Sequence, residues 1–215
     1  MKLPFRPPRP PAITIERLTA AEVAPFVEQI GEVYGAAFAP QPYNRGPAQV
    51  AAFVRSLMQQ AQNPDFCCCF ARATGGGRLL GFTYGYTGRP GQWWRDVVAA
   101  SMEPNEVRIW LDGQFEFVEL AVLPEAQGHG IGGRLHDALL EGQRHKVATL
   151  STIQQDTAAF QLYRKRGWVV LLQDVAFPYV AEPYRIMGID LTQWRSRGKV
   201  LDSSAHDRQI GWPKG

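Results

Sequence analysis

Four glycines crowd into six residues of this chain, Gly128, Gly130, Gly132 and Gly133, just after an apolar run that stops at Pro124. Glycine removes the Cβ where a backbone must come close to a partner. The glycines lead into an amphipathic pattern from about Gly132 to Gln143, with Leu135, Ala138 and Leu139 on one helical face. The first turn of a helix carries unpaired N–H donors at the positive end of its dipole. A phosphate or pyrophosphate is the natural occupant, and Arg134, just inside the helix, adds a charge-assisted contact. The spacing is not G-x-x-x-x-G-K-[ST], which argues against a P-loop. A dinucleotide fold is disfavoured by context, since the unit comes late in the chain and no acidic strand end follows about twenty residues on.

Two carboxylates, Glu116 and Glu119, lie in a strand pattern from Phe115 to Leu123 that is otherwise apolar. Burial raises the pKa of a carboxyl, which suits a base working through water near neutrality. Three apart, the two point to opposite faces of an ideal strand, an arrangement that a bulge would change. An exposed rim glutamate is the competing reading for each. No His, Cys or Asp grouping has metal-ligand spacing, so no metal is expected. His136, His145 and His206 read as scattered and solvent-facing. Ser151 and Ser203 lack the context of a nucleophile elbow. Cys67, Cys68 and Cys69 are consecutive, with no disulfide or zinc spacing. They read as part of a buried strand in a reducing compartment, with no activating cation evident; a cytoplasmic location follows as an expectation.

The elements that must position these residues follow from periodicity. A strand is predicted at Ile13-Thr14-Ile15. A helix over Ala20 to Phe38 is expected to break at Gly31 and Gly35, and a second helix spans Ala48 to Gln60 after a loop from Pro40 to Pro47. Phe66 to Ala73 and Leu79 to Thr87 form a hairpin around Gly75-Gly76-Gly77. Residues 88–113 read as an irregular insertion with some helix from Trp94 to Ser101. Beyond the Gly-rich turn come a strand at Val147 to Ile153, a helix at Thr157 to Arg166, and strands at Trp168 to Leu172 and Tyr184 to Leu191. The order predicts an α/β fold, a central twisted mixed sheet of about six to seven strands flanked by helices on both faces. Residues 13–191 are the domain, 1–12 a proline-rich arm with five prolines, and 192–215 a tail.

At 215 residues, 45% apolar and 20% charged, the chain reads as an ordinary soluble protein. No apolar run approaches the ~18 to 20 residues that cross a bilayer, and the start lacks a secretory h-region. A net charge of +3 does not call for nucleic acid, and suits a polyanionic small ligand equally well.

Gln127-Gly128-His129-Gly130-Ile131-Gly132 resembles the Q/R-x-x-G-x-G/A signature of the GNAT superfamily of acyl-CoA N-acyltransferases. Leu120-Ala121-Val122 with Pro124 resembles that family's fourth strand, and Tyr163-Arg164-Lys165-Arg166-Gly167-Trp168 its helix ending in Y-x-x-x-G-F. The element order is similar from residue 13 to 191, with the specific motifs confined to 115–170. The resemblance implies that the fourth and fifth strands splay apart and that the pantetheine arm of acetyl-CoA pairs with backbone near Ala121 and Val122. It implies a pyrophosphate on the amides of Gly128 to Gly133. His129 occupies a variable position, exposed or a weak phosphate neighbour. Asp156 replaces the family's asparagine and reads either as a pantetheine contact or as the cap of the next helix. Gly133 stands where a basic residue is common, leaving the 3′-phosphate partner between Arg134 and the Arg164-Lys165-Arg166 cluster.

The implied reaction is direct attack of an amine on the thioester. Tyr163 corresponds to the thiolate-protonating tyrosine; a tyrosine packed on a helix face is the alternative. Glu119, nearest the Ala121-Val122 backbone, is the first choice of base and Glu116 the second, with the Val122 N–H as oxyanion donor. Trp93, Trp94 and Trp110 of the insertion, with Tyr43, Asn44 and Arg45, are candidates to wall the acceptor, while anchoring the insertion to the domain is the competing and slightly favoured reading of the tryptophans. A small-molecule amine is the leading acceptor. A protein N-terminus or lysine is the second, and a non-catalytic acyl-CoA sensor the third. No nucleic acid or membrane partner is expected, and a homodimer is compatible.

Overall fold

A computed structural model describes residues 12–75, 77–178 and 182–196. The proline-rich arm, except Ala12, and the tail beyond Ser196 lie outside the described residues. Seven strands form one mixed sheet: β1 Ile13–Leu18, β2 Cys67–Ala73, β3 Leu79–Thr87, β4 Phe115–Val122, β5 Val147–Ile153, β6 Val169–Val175 and β7 Tyr184–Asp190, in the order β1-β2-β3-β4-β5-β7-β6. β1, β2 and β3 pair antiparallel, β4 and β5 pair parallel, and β7 runs antiparallel to both β5 and β6. This is the α/β mixed sheet expected from the element order. Among the described residues no helix is long and apolar enough to cross a membrane.

Two compact units divide the chain, and β3 and β4 each pass from one into the other. The first comprises the described residues through Gly85 together with Glu119–Leu139. In it, α1 (Ala20–Val23) and a 3-10 turn at Ala24–Phe26 precede α2 (Val27–Phe38), and α3 runs Pro47–Gln60. The helical pattern breaks at Pro25, not at Gly31 and Gly35. Proline lacks the N–H that would continue the ladder. The two glycines lie inside an unbroken α2, where they let α3 approach. A Cβ on Gly31 would stand 2.9 Å from Val54 and one on Gly35 3.2 Å from Val50. Ile30, Leu57, Phe70 and Phe82 are fully buried here, and Tyr34 stacks on Phe53 at 3.8 Å.

The second unit holds Tyr86–Val118 and the described residues from Leu140 onward. The insertion is more ordered than its sequence suggests, forming α4 (Trp93–Ala99) and α5 (Pro104–Trp110). Val98 of α4 and Leu111, the residue that caps the end of α5, both at 0% exposure, join Val175, Phe177 and Ile186 in a core. Trp110 lies over Gly188 of β7 so closely that a Cβ there would meet its ring at 2.7 Å. Trp94 donates from Nε1 to Ser151 Oγ at 3.2 Å. Large aromatic surfaces bury well against a glycine, which has no side chain to hold them off. The competing expectation, that tryptophans anchor the insertion, describes Trp94 and Trp110.

Candidate functional site

Sequence places a short turn between β4 and α6 (Ile131–Leu140), and the structure shows why it must be glycine-rich. Leu123 donates its N–H to Leu80 and so ends β4 against β3. The chain then turns through a 3-10 segment, Pro124–Ala126, and Gln127 Nε2 reaches back to the Val122 carbonyl at 2.9 Å. Gly128 and Gly130 both adopt φ of +77°, a region that L side chains rarely enter. Nothing stands within 4 Å of a Cβ built on either glycine. The first N–H of the following ladder belongs to Arg134, bonded to the Gly130 carbonyl at 3.1 Å. The amides of Ile131, Gly132 and Gly133 therefore precede the helical ladder, and the exposed Gln127–Gly130 loop leaves the approach to them open. This cradle fits a pyrophosphate. Gly133 itself is buried. His129 is exposed. Arg134 turns to β1 and donates to the Ile13 carbonyl at 3.2 Å.

Gly81 of β3 permits the close seating of β4. A Cβ on it would lie 2.7 Å from the Ala121 carbonyl and 3.1 Å from the Val122 side chain. Burial along β4 alternates poorly, because Val118, Glu119 and Leu120 are all half-buried between buried neighbours. The parallel ladder with β5 pairs Phe115 with Ala148 and Glu116 with Thr149. Among the described residues, it has no further pair at Phe117 and Val118.

The two carboxylates sit in different settings. Glu116 is 4% exposed, and its Oε1 accepts from the Tyr86 hydroxyl at 3.3 Å. Burial pushes its pKa up to about 8, a rise that the Tyr86 hydrogen bond partly offsets. Its Oε2, like Thr149 Oγ1, has no hydrogen-bond partner among the described residues. Glu119 is half-buried, and its Oε1 accepts the Leu120 N–H at 3.0 Å. Burial raises its pKa to about 7, against the pull of the Leu120 amide and the Arg45 guanidinium. The Glu119 carbonyl accepts from Thr83 Oγ1 at 2.7 Å, tying the strand to β3.

Tyr163, in α7 (Ala158–Lys165), is 6% exposed, with its ring edge-on to Phe117 at 5.9 Å and against Trp168 at 5.8 Å. The cap of α7 is Thr157, whose Oγ1 accepts from the Phe160 amide at 3.2 Å. That corrects the capping reading of Asp156, whose carboxylate instead accepts from the Gln161 side chain. Arg164 and Lys165 are exposed on the last turn, and Arg166 lines a cavity of about 350 Å³ with Trp110, Val169, Gly188 and Trp194. Tyr43 packs edge-on to Phe38 at 4.8 Å, and Arg45 donates its N–H to the Phe38 carbonyl. Trp93 is 58% exposed beside Phe177.

Two histidines depart from expectation. His136 is fully buried and bonded to Asp137, and half-buried His145 pairs with Thr87 Oγ1 at 2.8 Å. No group of three His, Cys, Asp or Glu side chains among the described residues could hold a metal. Sequence reasoning missed Tyr86 and Thr83. Both come from β3, and only strand register brings them to β4, so no local motif marks them.

A family model for the acetyltransferase (GNAT) domain matches residues 68–170. A GCN5-like protein acetyltransferase of Mycobacterium tuberculosis is 31% identical over 153 residues, covering 67% of this chain and 74% of that protein. Among solved structures, the Escherichia coli ribosomal-protein-S18-alanine N-acetyltransferase superposes with a TM-score of 0.55 at 15% identity, over 84% of this chain and 94% of its own. A Salmonella typhimurium protein solved with its cofactor acetyl-CoA gives 0.51 at 17% identity, over 84% and 94%. At these identities the structures speak for the fold alone.

Proposed function

This chain belongs to the GNAT family of acetyltransferases, and from that premise we propose that it transfers the acetyl group of acetyl-CoA to an amine of a protein. The observation that carries the acceptor class is the 31% identical relative, itself named a protein acetyltransferase. A small-molecule amine is the second reading, favoured by the exposed indole of Trp93 beside Phe177, an aromatic ledge on which a small ring could stack.

Acetyl-CoA supplies an activated thioester. The amides from Gly128 to Gly133 hold its pyrophosphate, as the open cradle and the amides ahead of the ladder support. Gln127 acts through its bond to Val122, keeping the turn closed and the Val122 N–H directed at the carbonyl oxygen as charge grows on it. Backbone at Ala121 and Val122 pairs with the pantetheine arm. Glu119 takes the proton of the attacking amine through water. Its half-buried position and pKa near 7 support that choice. Glu116 remains the alternative base, supported by its unpartnered Oε2. Tyr163 gives its proton to the departing thiolate, since a phenol with a reference pKa of ~10 is protonated at neutrality.

The acceptor class is tested by following thiol release from acetyl-CoA with lysine and free N-terminal peptides beside a panel of small amines. A peptide kcat/KM at least about a hundredfold above the best small amine is expected, a margin of roughly 2.7 kcal/mol in transition-state binding. The reverse order would replace the protein acceptor with the small one.

A further inference from the structure

Four buried polar atoms on one face of the sheet have no hydrogen-bond partner among the described residues: Oε1 and Nε2 of Gln114, Oε2 of Glu116 and Oγ1 of Thr149. Gln114 and Thr149 are at 0% exposure and Glu116 at 4%. Strand geometry makes them neighbours. Gln114 and Glu116 are two apart and so turn to the same side. Thr149 of β5 is the residue paired with Glu116 across the parallel ladder, and paired strands lie about 4.8 Å apart. On the other flank, the Gln114 amide lies over Gly88, where a Cβ would stand 2.6 Å from Gln114 Cδ. Tyr86, two residues before Gly88, donates its hydroxyl to Glu116 Oε1 on the same face and is the titratable group that bears on that carboxyl. The insertion covers this face beyond Thr149. Trp110 rests on Gly188, the β7 partner of Thr149, and Trp94 bonds to Ser151, two residues further along β5. Arg95, the cation of α4, is engaged by Asp96 and Asp112.

Buried polar groups in native proteins are paired, and an unmet one costs the full desolvation of the group. A ligand that answers these four must be small, because the side chains are closed to solvent. It must also both donate and accept, because Gln114 Nε2 is a donor, Gln114 Oε1 an acceptor and Thr149 Oγ1 either. Water meets both conditions, and a buried water makes about three such bonds. We propose that Gln114, Glu116 and Thr149 enclose ordered water beneath the insertion, with Gln114 and Thr149 as positioning residues that act through Glu116. The water bonds to Glu116 Oε2 and Thr149 Oγ1, and Gln114 completes its shell. It hydrates a carboxyl that the fold otherwise desolvates and gives the carboxyl proton a path of exchange. The site stands whichever glutamate serves acetyl transfer, and its test needs no turnover.

The test is carboxyl-carbon nuclear magnetic resonance of the full chain labelled at glutamate, with the Glu116 signal assigned by its loss in Glu116→Gln. Thr149→Val keeps the shape of the side chain and removes the hydroxyl. With water held, that change strips a bond from the hydration of Glu116, and the Glu116 titration midpoint should rise by roughly one pH unit, tenfold in proton affinity. Gln114→Leu should move it in the same direction, and Thr149→Ser, which keeps the hydroxyl, should restore the wild-type midpoint. The urea midpoint of Thr149→Val should fall, because the water and Glu116 lose a partner. In a dry patch the same substitution deletes an unpaired hydroxyl, so the urea midpoint holds or rises and Glu116 titrates as in the wild type. Either of those results overturns the site. So does a Thr149→Ser midpoint that moves with Thr149→Val, or a crystal structure with no water within hydrogen-bond distance of Glu116 Oε2 and Thr149 Oγ1.

Discussion

Burial raises the pKa of both Glu116 and Glu119, but different partners offset the rise, Tyr86 for one and the Leu120 amide and Arg45 for the other, so pH separates them. If Glu119 is the base, kcat/KM rises with pH through a midpoint near 7, and Glu119→Gln removes that limb. A midpoint near 8, removed only by Glu116→Gln, would transfer the role to Glu116. Stability carries a second signature. Glu116 keeps its proton in the fold up to about 8, whereas the unfolded chain loses it near 4.5. The folded state binds the extra proton between those values, so stability is greatest below the window and falls as pH rises through it. Glu116→Gln should flatten the pH dependence of the denaturation midpoint between pH 5 and 8. One full proton is worth about 1.4 kcal/mol per pH unit. An unchanged slope would mean that the carboxyl is already ionised. Tyr163→Phe should lower kcat by about a hundredfold or more with little change in KM, and a full rate would exclude the phenol as acid. Tyr163 could be singled out as a candidate because its motif is local. Tyr86, which tempers Glu116, could not, since its partner lies 30 residues away and on another strand.

At the scale of elements, glycine spacing told two different stories. In the turn after β4, positive φ at Gly128 and Gly130 marks a conformation that only glycine enters easily, and the sequence read that turn as an anion cradle. Gly130→Glu should cost about 1 to 2 kcal/mol in backbone strain and set a carboxylate against a phosphate. Acetyl-CoA binding by calorimetry should disappear while the far-ultraviolet spectrum persists; retained affinity would move the anion elsewhere. In α2, Gly31 and Gly35 looked like helix breaks because propensity alone was visible. Their use is contact with Val54 and Val50 of α3, which no local pattern reports. Gly31→Val should therefore destabilise the protein by about 1 to 3 kcal/mol in urea melts through overpacking. A gain in stability would mean that helix propensity governs the position. The insertion was underread for the same reason: α4 and α5 are each seven residues long, too short to be helical without the core that Val98 and Leu111 enter.

At the scale of the molecule, the order of elements could be read along the chain but the order of strands could not. β7 inserts between β5 and β6, and its close packing under Trp110 depends on Gly188, 78 residues further on. Distant pairings of this kind are set by burial after the local elements exist, so they leave no periodic mark. The same logic makes the folded chain, and not the unfolded one, the binder of acetyl-CoA. The amides ahead of the α6 ladder are aligned only once β4 is seated on β3 and Gln127 has closed the turn on Val122. A ligand that binds only the native state stabilises it by mass action, by about 2.7 kcal/mol at a hundredfold excess over its Kd. For a chain of this size that corresponds to a rise in Tm of roughly 5 to 10 °C. Gly130→Glu should abolish the rise, whereas Tyr163→Phe, which alters only the proton donor, should keep it. Equal loss in both variants would show that the tyrosine holds the carrier, and its assignment as acid would then have to yield to one of binding.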